Sequence, residues 1–337
     1  NVFITGEAGT GKTFLINKYI DFLYSHGKKV LICAPTGIAA ANYKYGVTIN
    51  KAFNIGICPS ICSPSKHVST IGIVDKDVII IDEISMCRID FFKHIIKTID
   101  ECNKIRSSPI QIVLCGDFFQ LPPVILEKEK KILKELYPEF NEGFAFEATE
   151  WKTHNFNTVC LKEIFRQDNS DFIVALNNAR KGIEIEKAIE YVENNSSKTP
   201  MDGGMEIHSR NQVVEEINRN KLMELKTKEY VYKADIKGEI SEDVNVEREI
   251  HLKPGCKVMM TMNDDKLGYQ NGSFATVVTC GDGYVDVMTD KEKNIIRVHR
   301  KEFSSLSDPV LLPNRQISQN MIGSIYQIPM KLAYAIT

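Results

Sequence analysis

The stretch that decides the fold is "GEAGTGKT", at residues 6–13. Its glycines let the backbone curl tightly enough to aim several N–H groups at one phosphate. A short apolar run, "NVFIT", precedes it. Residues 12–26 follow it and carry apolar side chains at helical spacing, at Leu15, Ile16, Tyr19, Ile20 and Leu23. A strand, a glycine-rich loop and a helix in this order predict a phosphate-binding P-loop rather than a chance turn.

Each position of this loop has an expected role. Lys12 supplies a point charge for the β and γ phosphates of a nucleotide, and the Thr13 hydroxyl is suited to Mg²⁺. Backbone N–H groups of the loop and of the first helical turn would hold the remaining phosphate oxygens. The predicted nucleotide-binding residues are therefore Gly6, Ala8, Gly9, Thr10, Gly11, Lys12, Thr13 and Phe14.

The surrounding sequence predicts an α/β fold. The runs "KVLICA" (29–34), "DVIIID" (77–82) and "IQIVLC" (110–115) are continuously apolar, which is typical of parallel strands covered on both faces. A helical pattern at residues 88–102 separates two of them. A second α/β segment is expected to begin near Val159, with helices at 171–182, 184–194 and 211–225 and a strand at 205–209. From about residue 230, short β-like runs indicate a small β module, and "IPMKLAYAIT" (328–337) has a strand-then-helix pattern.

Length and composition restrict the class of protein. The chain has 337 residues, enough for two domains, and a formal net charge of −2. No apolar run approaches the roughly 20 residues that span a bilayer. The net charge argues against coating of nucleic acid by bulk charge, but it is compatible with a narrow groove that holds one strand. The nine cysteines lack zinc-site spacing and indicate reduced thiols in an intracellular protein.

Two acids end the apolar run "IIIDEIS" at residues 79–85. Carboxylates at the end of a buried strand are costly unless a cation or a substrate proton uses them. We expect Asp82 to join the Mg²⁺ shell and Glu83 to polarise the attacking water. Because a small-molecule kinase must exclude water, this second acid favours a nucleotide hydrolase.

The loop "CGDFFQLPPV" (115–124) should reach the same ligand-binding edge of the sheet. Gln120 is expected to contact the γ-phosphate or the attacking water, and Asp117 to lie near the metal or support the loop. Phe118 and Phe119 are left between core packing and a neighbouring site. In "LKEIFRQD" (161–168), Arg166 is either an arginine finger or an ordinary surface arginine.

Several motifs in this order resemble the series found in superfamily 1B DNA helicases. They are "GEAGTGKT", "APTGIAA" (34–40), "IIIDEISM", "GDFFQLPPV" and "LKEIFRQ", and the likeness extends to "FAFEATEWK" (144–152) and "LKPGCKVMMTMN" (252–263). The chain is most similar to the PIF (petite integration frequency) family, relatives of RecD. The resemblance favours the arginine-finger role of Arg166.

The resemblance implies an α/β fold with two RecA-like P-loop motor domains and ATP bound between them. The first would span residues 1–160, with a small wedge insertion at about 44–74. The second would span residues 161–337, with an SH3-like β insertion at about 264–325. Family members continue beyond "AIT" and begin before residue 1, so the second motor domain is expected to be incomplete.

The resemblance also implies activity and partners. Family members use ATP and Mg²⁺ to move 5′→3′ on single-stranded DNA and unwind duplex, fork, hybrid or G-quadruplex DNA in repair, recombination and telomere maintenance. Residues carried over as DNA contacts are Pro35, Thr36, Gly37, Thr48, Phe53, His208, Ser209 and Arg210. Thr48 and His208 are alternatively helix caps, and Asn50 stands where the family has histidine. A monomer in the nucleus, mitochondrion or bacterial cytoplasm is expected.

Two other functions remain open from the sequence. A nucleotide-dependent switch that acts on protein partners would keep the P-loop and the Asp82–Glu83 pair, but would not need "APTG" or a second motor domain. A fragment of a motor would bind nucleotide or single-stranded DNA with little turnover. Membrane partners are not expected.

Overall fold

The computed structural model describes the chain from Asn1 to Thr337 apart from residues 57, 65–66, 168, 198–203 and 265. Contacts divide the chain into two compact units. The first contains Asn1–Ser197 and Asp308–Gln319, and the second contains Lys198–Ser307 and Asn320–Thr337. Each unit has its own hydrophobic core. Within the described ranges, none of the helices has the length and apolar character that crossing a bilayer requires.

The first unit is built on a parallel sheet. Its strands are β1 (Val2–Gly6), β2 (Val30–Ala34), β3 (Val47–Thr48), β4 (Val78–Ile81), β5 (Gln111–Cys115) and β6 (Asn157–Leu161). They lie in the order β3-β2-β4-β5-β1-β6, and each neighbouring pair is parallel. All of β4 is buried, as expected of a strand covered on both faces. The predicted parallel α/β sheet is confirmed.

Helices lie on both faces of this sheet. The helices of the first unit are α1 (Lys12–Ser25), α2 (Gly37–Ala40), α3 (Ile49–Ala52), α4 (Ile89–Lys104), α5 (Glu127–Leu136), α6 (Thr149–Thr153), α7 (Ser170–Lys181) and α8 (Ile185–Asn195). Ile16 of α1 shares a core cluster with Ile80 of β4, whereas Phe92 of α4 packs in a separate cluster with Ile79. Because successive residues of a strand face opposite sides, α1 and α4 lie on opposite faces.

The strand near the predicted start of the second segment belongs to the first sheet. β6 pairs with β1 along its whole length, from Val2 opposite Asn157 to Gly6 opposite Leu161. The expectation that a new α/β segment begins near Val159 is therefore wrong for this strand. The compact units divide after Ser197, further along the chain than the predicted domain boundary at 160/161. The motor-domain limits and the two insertions stay predictions.

The second unit is rich in short strands. The strands that follow β6 are β7 (Glu206–Ile207), β8 (Tyr230–Lys233), β9 (Asp235–Gly238), β10 (Glu249–Leu252), β11 (Lys257–Met260), β12 (Phe274–Gly281), β13 (Tyr284–Thr289), β14 (Ile295–His299), β15 (Lys301–Leu306), β16 (Val310–Leu311), β17 (Ile317–Ser318), β18 (Met321–Gln327), β19 (Met330–Leu332) and β20 (Ala335–Ile336). β16 and β17 fall in the first unit. Helix α9 spans Asn211–Glu224.

The predicted β module is confirmed, but the helix predicted at the end of "IPMKLAYAIT" is wrong. One sheet has the order β14-β13-β12-β11-β19 and another has the order β15-β18-β9. The end of "IPMKLAYAIT" was expected to be helical, and instead it is strand β20, which pairs in parallel with β7. The backbone partners that β7 offers decide this, since the local sequence Ala-Tyr-Ala is compatible with either structure.

Within the first unit, a buried ion cluster links Ser60, in the segment between α3 and β4, to the start of α4 and to α5. The Arg88 guanidinium donates to both carboxylate oxygens of Asp90, at 2.6 and 2.9 Å, and to Glu129 at 3.1 Å. It also donates to the Ser60 carbonyl at 2.6 Å. These three charged residues are at most 6% exposed. Glu129 belongs to α5, whose sequence is rich in lysine and glutamate, but this residue faces inward rather than solvent.

Replacing Arg88 by alanine should lower the free energy of unfolding by about 3–5 kcal/mol, because it leaves two buried carboxylates without their cation. Urea denaturation monitored by circular dichroism measures the change. The control is Lys104→Ala, which removes an exposed pair with Glu101 and should cost less than about 0.5 kcal/mol. A loss below about 1 kcal/mol for Arg88→Ala would contradict the view that Arg88 stabilises the fold as the cation of two buried carboxylates.

Candidate nucleotide-hydrolysis site

Three polar segments meet at one edge of the first sheet. The P-loop follows β1, Asp82 and Glu83 follow β4, and Asp117 follows β5. In the strand order, β5 lies between β4 and β1, and all three strands run parallel. Their carboxyl ends therefore bring these segments together, at the edge where open α/β sheets bind ligands.

The P-loop has the geometry of a phosphate cradle. Gly9 and Gly11 have φ angles of 84° and 82°, which a side chain at either position would strain. Lys12 begins α1, and its ammonium donates to the carbonyls of Gly6 at 2.8 Å and Glu7 at 3.1 Å. This pair of bonds holds the positive charge inside the loop, against the N-terminus of the helix.

The other predicted loop residues differ in exposure. Thr10 is buried, and its hydroxyl donates to the Glu7 carbonyl at 2.8 Å, so its side chain shapes the loop. Ala8 and Phe14 are exposed, Phe14 at 70%. The Lys18 ammonium lies 5.6 Å from the centre of the Phe14 ring. Phe14 is therefore available to a ligand, whereas Thr10 contributes through its backbone.

Tyr43, which was not among the predicted site residues, contacts both predicted metal-binding residues. Its hydroxyl donates to Asp82 Oδ2 at 2.5 Å and also interacts with the Thr13 side chain. Burial, followed by the charge of Asp82, raises the pKa of Tyr43, so the phenol stays protonated as a donor. The carboxylate of Asp82 and the hydroxyl of Thr13 are oxygen ligands of the kind Mg²⁺ prefers, and their convergence on Tyr43 fits a metal site.

Glu83 has the properties of a general base. Burial, followed by the charges of Asp82 and Asp117, raises its pKa above the ordinary value, while Lys12 opposes the shift. Its φ angle of 51° lies in the left-handed region, which costs about 1–2 kcal/mol for a residue with a side chain. Such strain is found at functional positions, where the surrounding structure holds it in place.

Gln120 is held by Asp117 rather than projecting without contacts. Its amide donates to Asp117 Oδ2 at 3.2 Å, and the Phe119 backbone N–H donates to Asp117 Oδ1 at 3.1 Å. Arg180 of α7 completes the group: Nε and Nη2 donate to the two carboxylate oxygens at 3.0 and 2.7 Å. Asp117 is 1% exposed. Arg180 was not among the predicted site residues, since 63 residues separate it from its partner.

The two phenylalanines of this loop have different surroundings. Phe118 packs in an aromatic cluster, with ring centres 4.8–5.8 Å from those of Phe3, Phe144, Phe146 and Trp151. Phe119 is 63% exposed, and the Arg180 guanidinium lies 4.4 Å from its ring centre. Core packing is therefore the role of Phe118, and Phe119 is available at the surface.

The segment that carries Arg166 crosses the P-loop. The Phe165 N–H donates to the Gly9 carbonyl at 2.9 Å. A Cβ atom built on Gly9 would lie 2.7 Å from the Cβ of Arg166, so the two backbones approach as closely as a glycine allows. The Arg166 side chain is exposed. Its position beside the loop favours the arginine-finger hypothesis over an unrelated surface site.

The predicted DNA contacts of the first unit include helix caps and one core residue. Thr36 and Thr48 cap α2 and α3, accepting from backbone N–H groups at 3.2 and 3.3 Å. Pro35 and Gly37 flank Thr36 and are half-buried. Phe53 is 1% exposed and belongs to the hydrophobic core, so its predicted DNA contact is corrected to a packing role.

Asn50 and the predicted contacts of the second unit have local partners. Asn50 donates to the Ile55 carbonyl at 3.3 Å and thereby closes the end of α3. His208 Nε2 lies 3.0 Å from Glu206 Oε2, so this histidine pairs with an acid and does not cap a helix. Ser209 and Arg210 lie directly before α9, and the Arg210 side chain is exposed.

Comparisons with known proteins agree with this arrangement. A family model described as "PIF1-like helicase" matches residues 1–193. The ATP-dependent DNA helicase Pif1 of Campylobacter jejuni is 28% identical over 100% of this chain and 79% of its own length. The ATP-dependent DNA helicase RRM3 of Saccharomyces cerevisiae is 32% identical over 82% of this chain, which spans only 40% of that protein.

Solved structures match the whole chain. The crystal structure of Bacteroides Pif1 bound to single-stranded DNA gives a TM-score of 0.80 at 31% identity, covering 100% of this chain and 79% of that one. Bacteroides Pif1 in complex with ADP-AlF3 and single-stranded DNA gives 0.79 at 32% identity with the same coverage. These matches confirm the predicted fold class, an α/β protein with RecA-like motor domains. On the family model and these relatives together, the chain belongs to the PIF1-like helicases.

Proposed function

We propose that the chain is an ATP-dependent DNA helicase that hydrolyses ATP to move 5′→3′ on single-stranded DNA. The observation that carries the proposal is the convergence of Lys12, Asp82, Glu83 and Gln120 at one sheet edge, with the Arg166 segment lying across the P-loop. A phosphate cradle, a metal-suited acid and a basic acid at one edge supply the parts that nucleotide hydrolysis needs.

Each residue has one task in this site. Lys12 and the loop N–H groups bind the phosphates, and Thr13 and Asp82 would hold Mg²⁺, whose charge polarises the γ-phosphate. Glu83 takes the proton of the attacking water, and burial, by raising the pKa of this carboxyl, makes it a stronger base. Gln120 orients the water or the γ-phosphate. Arg166 stabilises the negative charge that develops on the transferred group.

The strand-gripping groups are proposed on the resemblance and on their places in the fold. Thr36 caps α2 directly after β2, the neighbour of the strand that ends in Asp82 and Glu83. The Thr36 hydroxyl and the backbone N–H groups of Thr36 and Gly37 can hold phosphates without reading sequence, and Pro35, which has no N–H, would line the path beside them. His208 and Arg210 would do the same in the second unit. We propose single-stranded, forked and G-quadruplex DNA as partners of a monomer inside the cell.

ATP hydrolysis by the purified protein, with and without oligo-dT, tests the motor. We expect DNA to raise kcat by about tenfold or more, since a motor that moves on single-stranded DNA couples ATP hydrolysis to the bound strand. Strand displacement from duplexes with a 5′ or a 3′ tail tests the polarity, and the 5′ tail should be needed. A protein-directed switch would hydrolyse ATP without responding to DNA, and a binding fragment would bind both without turnover.

A further inference from the structure

Helix α7 is attached to the nucleotide site at both of its ends. Its N-terminal side follows the segment whose Phe165 N–H bonds Gly9 of the P-loop. In the last turn of the helix, the Arg180 guanidinium donates to Asp117, and Arg180 Nη1 lies 3.8 Å from Glu7 Oε1 of the P-loop. Arg180, in the last turn of this helix, therefore contacts both the loop that bears Gln120 and the P-loop.

The Arg180 guanidinium neutralises the charge of the Asp117 carboxylate. The carboxylate is almost fully buried, and burial works to raise its pKa, but the Arg180 fork, the Phe119 N–H and the Gln120 amide outweigh burial and lower it. Asp117 is therefore charged at neutral pH. Without Arg180 it would be a buried charge lacking its cation, free to rearrange or to take up a proton.

We propose that Arg180 is a positioning residue for ATP hydrolysis, which fixes Gln120 through Asp117. Arg180 supplies planar, bidentate geometry together with a stacking contact on Phe119. The proposal rests on the proposed hydrolytic function. It predicts that Arg180 acts on the chemical step rather than on ATP binding, because Lys12 and the loop N–H groups bind ATP without it.

Arg180→Ala should lower the DNA-stimulated kcat by about 10- to 100-fold with KM for ATP within threefold of wild type, since a misplacement near 1 Å costs about 10²-fold. Arg180→Lys keeps the charge but loses the fork, and should retain more activity than alanine. The control is Lys181→Ala, an exposed neighbour in the same turn, which should match wild type.

The decisive measurement combines Arg180→Ala with Gln120→Ala. If Arg180 acts through Gln120, the double variant should be no slower than Gln120→Ala alone. Multiplying effects, or a kcat for Arg180→Ala equal to wild type, would overturn the inference. Thermal melting of each variant identifies unfolding, and for an unfolded alanine variant the Arg180→Lys and Gln120→Ala combination decides the same question. Absence of ATPase in the wild-type protein would instead refute the proposed function.

Discussion

Glu83→Gln is expected to reduce the DNA-stimulated ATPase rate by about 10²–10⁴-fold while ATP still binds. Glutamine keeps the size of the side chain and its hydrogen-bonding capacity, but it has no basic oxygen that can take a proton from water. Lys12 and the P-loop backbone are untouched, so the dissociation constant of a fluorescent ATP analogue should stay within about threefold of wild type.

The left-handed backbone at Glu83 makes the choice of substitution important. Glutamine adopts this conformation at a cost similar to that of glutamate, so loss of rate reports the missing base and not a displaced loop. Glu83→Asp is a useful companion, since it retains a carboxylate but draws it back by one methylene, and its rate should fall between those of wild type and Glu83→Gln. Turnover by Glu83→Gln at more than a tenth of the wild-type rate would assign the base to another residue.

The central strands β4 and β5 of the first sheet were predictable because they are buried on both faces, whereas the edge strand β6 is largely exposed and was assigned to the wrong segment. Such burial requires an unbroken apolar run, and "DVIIID" and "IQIVLC" can hardly be anything else at that length. The Asp82–Glu83 pair was predictable for a related reason, because it stands at the end of one of those runs, and the P-loop was predictable from its own glycine and lysine spacing after β1. Strand β20 was not, because two residues carry too little local preference and their partner β7 is distant in sequence.

The site residues that were not predicted bind partners that are distant in the sequence. Tyr43 reaches Asp82 over 39 residues, and Arg180 reaches Asp117 over 63. The only signals in the sequence were a tyrosine after "APTGIAAAN" and an arginine in the last turn before Gly182, and neither pattern names its partner. Phe53 is the opposite case, a residue that was predicted to contact DNA and is instead buried. An aromatic residue near a strand-gripping motif suits the core and a base-stacking site equally until its burial is known.

Arg166→Ala should lower kcat by about 10³–10⁵-fold if the side chain acts as an arginine finger. The reason is electrostatic. The guanidinium counters negative charge that shifts and builds up as the γ-phosphoryl group is transferred, so its loss weakens the transition state far more than the bound state. KM for ATP should change little, and single-turnover kinetics should place the defect in the chemical step. Lys162→Ala, an exposed change earlier in the same segment, is the matched control.

The close approach of the Arg166 backbone to Gly9 makes this prediction stronger than its exposed side chain would suggest. An ordinary surface arginine does not need a position whose backbone contact only a glycine permits. If Arg166 were such an arginine, its removal would change kcat less than threefold. Arg166→Lys separates the remaining possibilities. A finger that needs two directed donors should be poorly replaced by a single ammonium, whereas a site that needs only positive charge should recover most of the rate.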